Sequence, residues 1–225
     1  RRTSALDIVR IHQRVASIGS CPILARLLHV ERGRLGGARD VGDHRPKRPL
    51  RFRGEFNEPA EESEWYAPSR FTHNLLRVME SVRTTNGNVG VFAAYWEFAT
   101  RIHHDGDRSF DPAAALDAAG LDPAHASAFE DESWDGEIRD RMDAGLELAG
   151  TDIGTPIIGF DDLNGQRVGI FGPVITRVLP TEQALQLWDG MVAVVTVPGF
   201  WELKRTRTER PDLGARPSGP PSLGD

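Results

Sequence analysis

Gly154-Thr155-Pro156-Ile157-Ile158-Gly159-Phe160, then Asn164-Gly165, then Arg167-Val168-Gly169-Ile170-Phe171-Gly172-Pro173 is the stretch that sets the fold class. Two short apolar runs flank an Asn-Gly turn, the pattern of a β-hairpin over about 155–171. Pro156 donates no backbone hydrogen bond, so it belongs at the start of its strand or on an edge. An X-Pro bond is also where a cis peptide costs little. A cis bond at Thr155-Pro156 would bare the backbone beside the strand, where an extended thiol or peptide pairs. Thr155 and Pro156 are therefore candidate substrate-binding residues.

Upstream the pattern is helical. Phe71, Leu75, Val78 and Val82 share one face, giving a helix over about 66–84. Val89, Phe92, Ala93, Trp96 and Thr100 define the apolar face of a second helix over about 88–103. Asp111-Pro112 and Asp122-Pro123 each place a capping carboxylate before a proline at the first helical position, and Gly120 stops the first of these short helices. Ile138, Met142 and Leu146 mark a helix over about 133–149, ending at Gly150. Thr181 is placed to cap a last helix whose Leu185, Trp188 and Val192 face the core, with Trp188 and Trp201 as packing residues. The prolines and glycines after Glu209 read as a disordered tail over 210–225.

Composition narrows the function. At 225 residues and 39% hydrophobic content, the chain suits a soluble globular protein with one core and an insertion. No apolar run approaches the roughly 20 residues of a membrane helix and no signal-peptide pattern opens the chain, so the expected location is cytoplasmic. The single cysteine, Cys21, excludes an intrachain disulfide and a cysteine-rich zinc site. His103-His104 point to different helical faces without further ligands nearby, so no metal is expected. No P-loop, dinucleotide fingerprint or nucleophile elbow is present.

Charge divides the chain. Residues 1–53 carry thirteen basic and four acidic residues, net +9, and the remainder fourteen basic and twenty-nine acidic, net −15. The acidic body argues against nucleic acid as a partner of the basic arm. Gly33, Gly36, Gly37, Gly42 and the run His44-Arg45-Pro46-Lys47-Arg48-Pro49 break any buried element in 31–53. The segment reads as the product of a shifted frame upstream of about residue 54.

Thr151-Asp152-Ile153-Gly154-Thr155-Pro156, Phe171-Gly172-Pro173-Val174, Leu187-Trp188-Asp189 and, above all, Phe200-Trp201-Glu202-Leu203-Lys204-Arg205-Thr206-Arg207-Thr208-Glu209 resemble the mycothiol-dependent nitroreductases. These are actinobacterial members of the DsbA family of thioredoxin-like proteins. The resemblance covers about residues 55–209. It implies an α/β fold with a thioredoxin-like (DsbA-type) core and a helical insertion. The order would be an aberrant basic segment over 1–53 in place of the N-terminal βαβ unit, the insertion over 54–150, and the C-terminal thioredoxin half over 151–209.

The same resemblance implies a thiol-disulfide oxidoreductase or nitroreductase-like enzyme, with mycothiol as thiol co-substrate and a disulfide or nitro compound as acceptor. It makes Cys21-Pro22 the remnant of a Cys-Pro-x-Cys motif and Cys21 the nucleophile, although Leu24 stands where the second cysteine belongs. It places Asn57 and His103 beside Thr155 and Pro156 as substrate-binding residues. Two further readings stand beside this one. A thiol-cofactor-dependent isomerase or transferase, of the kappa-class glutathione transferase or hydroxychromene carboxylate isomerase type, needs no protein disulfide. A frameshifted product would be non-catalytic.

Overall fold

The computed structural model describes residues 62, 64, 66–151, 153, 156–206 and 208–219. The expected N-terminal βαβ unit, together with the anomalous 1–53 segment, lies outside them. Within them the chain is mixed helix and sheet.

The first element, α1 (Tyr66–His103), is two helices joined at Gly87, whose φ of 58° and ψ of −156° no helical residue adopts. The break falls in Asn86-Gly87-Asn88, where a residue without Cβ takes the left-handed conformation at little cost. The two arms fold back on each other. Leu75, Leu76 and Met79 of the first and Tyr95, Phe98 and Ala99 of the second line one small cavity of about 20 Å³, room for a single water and no ligand. Phe71 and Phe98 both meet Phe110, at ring-centroid distances of 5.1 and 5.6 Å.

This helical hairpin is the centre of the larger core. Leu75, Val78 and Val82 enter it from the first arm, as the spacing predicts. From the second arm, however, the residues that enter are Val91, Ala94, Tyr95, Phe98, Ala99 and Ile102. The helix expected over 88–103 is present, but of the expected face only Ala93 packs against the hairpin core; Val89 is exposed, and Phe92 and Trp96 are not among the residues of that core. Two apolar stripes compete on this arm, and periodicity alone does not say which meets the partner.

Short elements close the core from one side. α2 (Pro112–Ala118) starts at Asp111, whose carboxylate accepts the Ala113 N–H at 2.9 Å. A 3₁₀ helix, Pro123–Glu130, starts the same way at Asp122, which accepts from Ala124 at 2.9 Å. A second, Glu132–Trp134, is capped by Asp131. α3 (Asp135–Ala149) follows and ends at Gly150, and its Ile138 and Met142 complete the core.

α3 is fastened to α1 by buried charge. The Asp135 carboxylate accepts from Arg77 Nε at 2.7 Å and Arg77 Nη2 at 2.9 Å, and lies 2.9 Å from His73 Nε2. All three residues are buried, Arg77 completely. One turn on, Glu80 accepts from Arg141 of α3 at 2.8 Å.

The hairpin forms as the sequence indicates: β1 (Ile157–Asp161) pairs antiparallel with β2 (Arg167–Phe171), Gly159 opposite Gly169. Asp162 organises the turn by accepting the Asn164 and Gln166 N–H groups, both at 2.8 Å. Its two faces differ. One carries Ile158, Phe160, Val168 and Ile170, which pack with Trp188 and Ala184 of α4 (Thr181–Val195) in a second core. The other carries the glycine pair, pressed against α3: a Cβ at Gly169 would stand 2.6 Å from Leu148 Cβ. The sheet is thus held between α3 and α4. Thr181 begins α4 but makes no capping bond; Pro180 occupies that position.

Two C-terminal expectations change. Trp201, expected to pack, is 88% exposed, because residues 201–206 leave α4 through Gly199 (φ 85°) without forming an element that could cover it. Of the stretch read as a tail, residues 210–219 are described and several hold fixed partners. Asp212 pairs with Arg177 in a parallel bridge and its N–H reaches Thr176 O at 2.7 Å. Arg216 grips Asp105 through two bonds of 2.6 and 2.9 Å.

Removing one partner of a buried ion pair strands the other. Asp135→Asn is expected to lower the unfolding free energy by about 3–5 kcal/mol, read from denaturant midpoints. Burial by itself would raise the Asp135 carboxyl, but the hydrogen bonds and charges of His73 and Arg77 outweigh it and hold it below the usual carboxylate range. Its folded-state pKa therefore lies under its unfolded value. The stabilisation is complete above pH about 4 and drains as pH falls through the folded-state value, a loss that Asp135→Asn should not show. Gly169→Ala should cost about 1–3 kcal/mol by overpacking against Leu148.

Candidate functional site

Pro156 directly precedes β1 and is half-buried. Its carbonyl accepts the Gly172 N–H at 2.8 Å, so the residue sits at the mouth of the hairpin beside Gly172-Pro173. That is where a residue lacking an N–H does not interrupt the ladder, as its chemistry requires. The Thr155-Pro156 bond lies outside the described residues, because Thr155 does; a cis peptide bond precedes Pro173. Cys21 and Asn57 also lie outside them.

His103 is the last residue of α1. Its Nε2 is buried and meets no hydrogen-bond partner among the described residues. Burial, with the charges of Arg108 and His104, pushes the imidazole down from 6.5 to about 4. A helix C-terminus favours a charged histidine, yet here desolvation wins and the ring is neutral at physiological pH. The neighbouring Asp105 is held by Arg216, so the end of the helix is pinned by the C-terminal segment.

Pro156 and His103 are on different elements and share no hydrogen bond. In the basic run Lys204-Arg205-Thr206-Arg207, Lys204 and Arg205 are exposed to solvent. No group of three or more His, Cys, Asp or Glu is arranged to hold a metal among the described residues. No helix among them is long and apolar enough to cross a membrane.

Sequence reasoning gave no hint that the Trp96 indole would be left without an acceptor: it is buried, 4% exposed, and among the described residues it joins neither apolar core and its Nε1 has no partner. Trp96 and His103 are seven residues apart, two turns of one helix face.

A neutral His103 gives a direct expectation. Its ¹⁵N shifts should titrate near pH 4, not 6.5. Because the folded-state value is depressed, its contribution to stability is present above pH about 6.5 and lost as pH falls towards 4. His103→Gln should flatten that part of the stability profile.

A family model described as Rv2466c-like, mycothiol-dependent nitroreductase Rv2466c, matches residues 56–205, from ahead of α1 to past α4. The match takes in two thirds of the chain, including Pro156 and His103, and the chain belongs to this family of mycothiol-dependent nitroreductases.

Proposed function

We propose that the protein is an oxidoreductase of thioredoxin-like, DsbA-type plan that works with a small thiol on nitro compounds or disulfides. The observation that carries this reading is the family match running unbroken through the helical block, the hairpin and α4. On this reading the α1–α3 block is the insertion and the hairpin with α4 is the C-terminal half of the core. When bound, such a thiol supplies reducing equivalents.

The chain's own residues divide the remaining work. Pro156, at the hairpin mouth, and Thr155 beside it position substrate. His103 lines the cleft as a neutral group, and Asn57 contributes a side-chain amide. Cys21 is the nucleophile, and as the sequence holds one cysteine, the second thiol comes from solution. Two thiols oxidised to a disulfide release two electrons and two protons, which convert a nitro group to nitroso and water.

The test is turnover of a nitroaromatic by the purified chain with mycothiol, followed by loss of nitro absorbance. Turnover is expected and should fall at least a hundredfold in Cys21→Ser, as loss of a nucleophile does. Absence of turnover, or full activity in Cys21→Ser, overturns the assignment. The single cysteine favours one second reading, a thiol-dependent isomerase or transferase. It is distinguished by thiol adducts forming without disulfide.

A further inference from the structure

Residues 208–219 carry contacts that a solvated tail does not need. They lie beyond the stretch that matches the family, which ends at residue 205. They are held at two places.

At the first place the contacts are layered. The Asp212 N–H donates to Thr176 O at 2.7 Å, and Asp212 forms a parallel bridge with Arg177. Both Glu209 oxygens accept from Arg177 Nε at 3.1 Å, and one of them also takes the Thr176 hydroxyl. Leu213 is half-buried, and a Cβ at Gly214 would stand 3.6 Å from Val178, in ordinary contact.

At the second place one side chain does the holding. Arg216 Nε and Nη2 donate to the two oxygens of Asp105 at 2.6 and 2.9 Å, a two-pronged pair. Its side chains are 53% and 34% exposed, and salt screens a pair so placed. The segment thus has a firm end, with backbone bonds, and a weaker end made of one exposed ion pair.

What adjoins the two ends gives them meaning. Asp105 follows His103 by two residues. Thr176 follows Pro173 by three, just after the Gly172 N–H closes the hairpin mouth on the Pro156 carbonyl. Asp212 and Arg216 are four residues apart, a length of chain that spans at most about 14 Å. While both ends hold, the end of α1 stays within that length and one arginine side chain of the segment leaving the hairpin. It moves further only when an end lets go, and the Arg216 end is the weaker.

We infer that residues 208–219 form a strap, fastened at Thr176-Arg177 and latched by Arg216 on Asp105, that holds the end of α1 to the segment leading into α4 and opens as salt rises. Opening frees the helix end that carries His103 from the hairpin mouth that carries Pro156. The strap stands independently of the thiol chemistry proposed above.

The test is amide hydrogen exchange of the full chain, read at Asp107, whose N–H donates to Arg101 O at the end of α1. Raising salt from about 0.01 to about 1 M shrinks the Debye length from about 30 to about 3 Å. In the unaltered chain this should speed exchange at Asp107 about two- to fivefold, the worth of one exposed ion pair. Arg216→Gln should exchange at the faster rate already at low salt, and combining it with Asp105→Asn should add nothing, because both remove the same pair. Arg177→Gln, which loosens the firm end without touching Asp105, should also speed exchange at Asp107. An Asp107 rate that ignores both salt and Arg216→Gln overturns the strap. A response to Arg216→Gln with none to Arg177→Gln leaves only a local ion pair and overturns it too. If a variant fails to fold, the salt response of the unaltered chain decides.

Discussion

One carboxylate sets the geometry of the described chain. Asp135 opens α3 and is buried against Arg77 and His73, one turn apart on α1. A buried guanidinium without a counter-charge is too costly to persist, so α3 has one tolerable start point along α1. Glu80 and Arg141 repeat the tie one turn further along. With both ends of the crossing fixed, α3 carries Leu148 to the glycine pair of the hairpin, and the hairpin carries Pro156. The position of the strand mouth relative to the helical block is therefore inherited from a charge pairing far from it.

The features legible in the sequence are those whose cause is local. The aspartate of Asp111-Pro112 and of Asp122-Pro123 caps its own next turn, so both short helices could be placed from four residues. Asn86-Gly87-Asn88 breaks a helix for a reason internal to glycine. Asn164-Gly165 between apolar runs makes a hairpin wherever it occurs. Asp135, Arg77 and His73 were not legible, since their partners lie 58 and 62 residues away and nothing nearby marks them. Trp201 misled because a large aromatic is usually covered, and exposure is decided by what folds over it. In the site, Pro156 was placed by its missing N–H and His103 by resemblance. Trp96 looked like core by its periodicity and is buried, though among the described residues it joins neither apolar core.

The last point bears on how the second arm of α1 came to hold two stripes. A helix packed on one side only would carry polar residues opposite its core face. This arm instead buries an indole N–H and an imidazole nitrogen with no partner, a net loss for folding alone. The hairpin core, with Leu75, Val78, Val82, Phe98 and Ile102 all nearly inaccessible, has enough apolar burial to offset that loss. Asn74 Oδ1 on the first arm of α1 is likewise buried without a partner among the described residues. Unpartnered polar atoms buried on both arms are a cost that the apolar packing of the hairpin core, rather than local hydrogen bonding, has to carry.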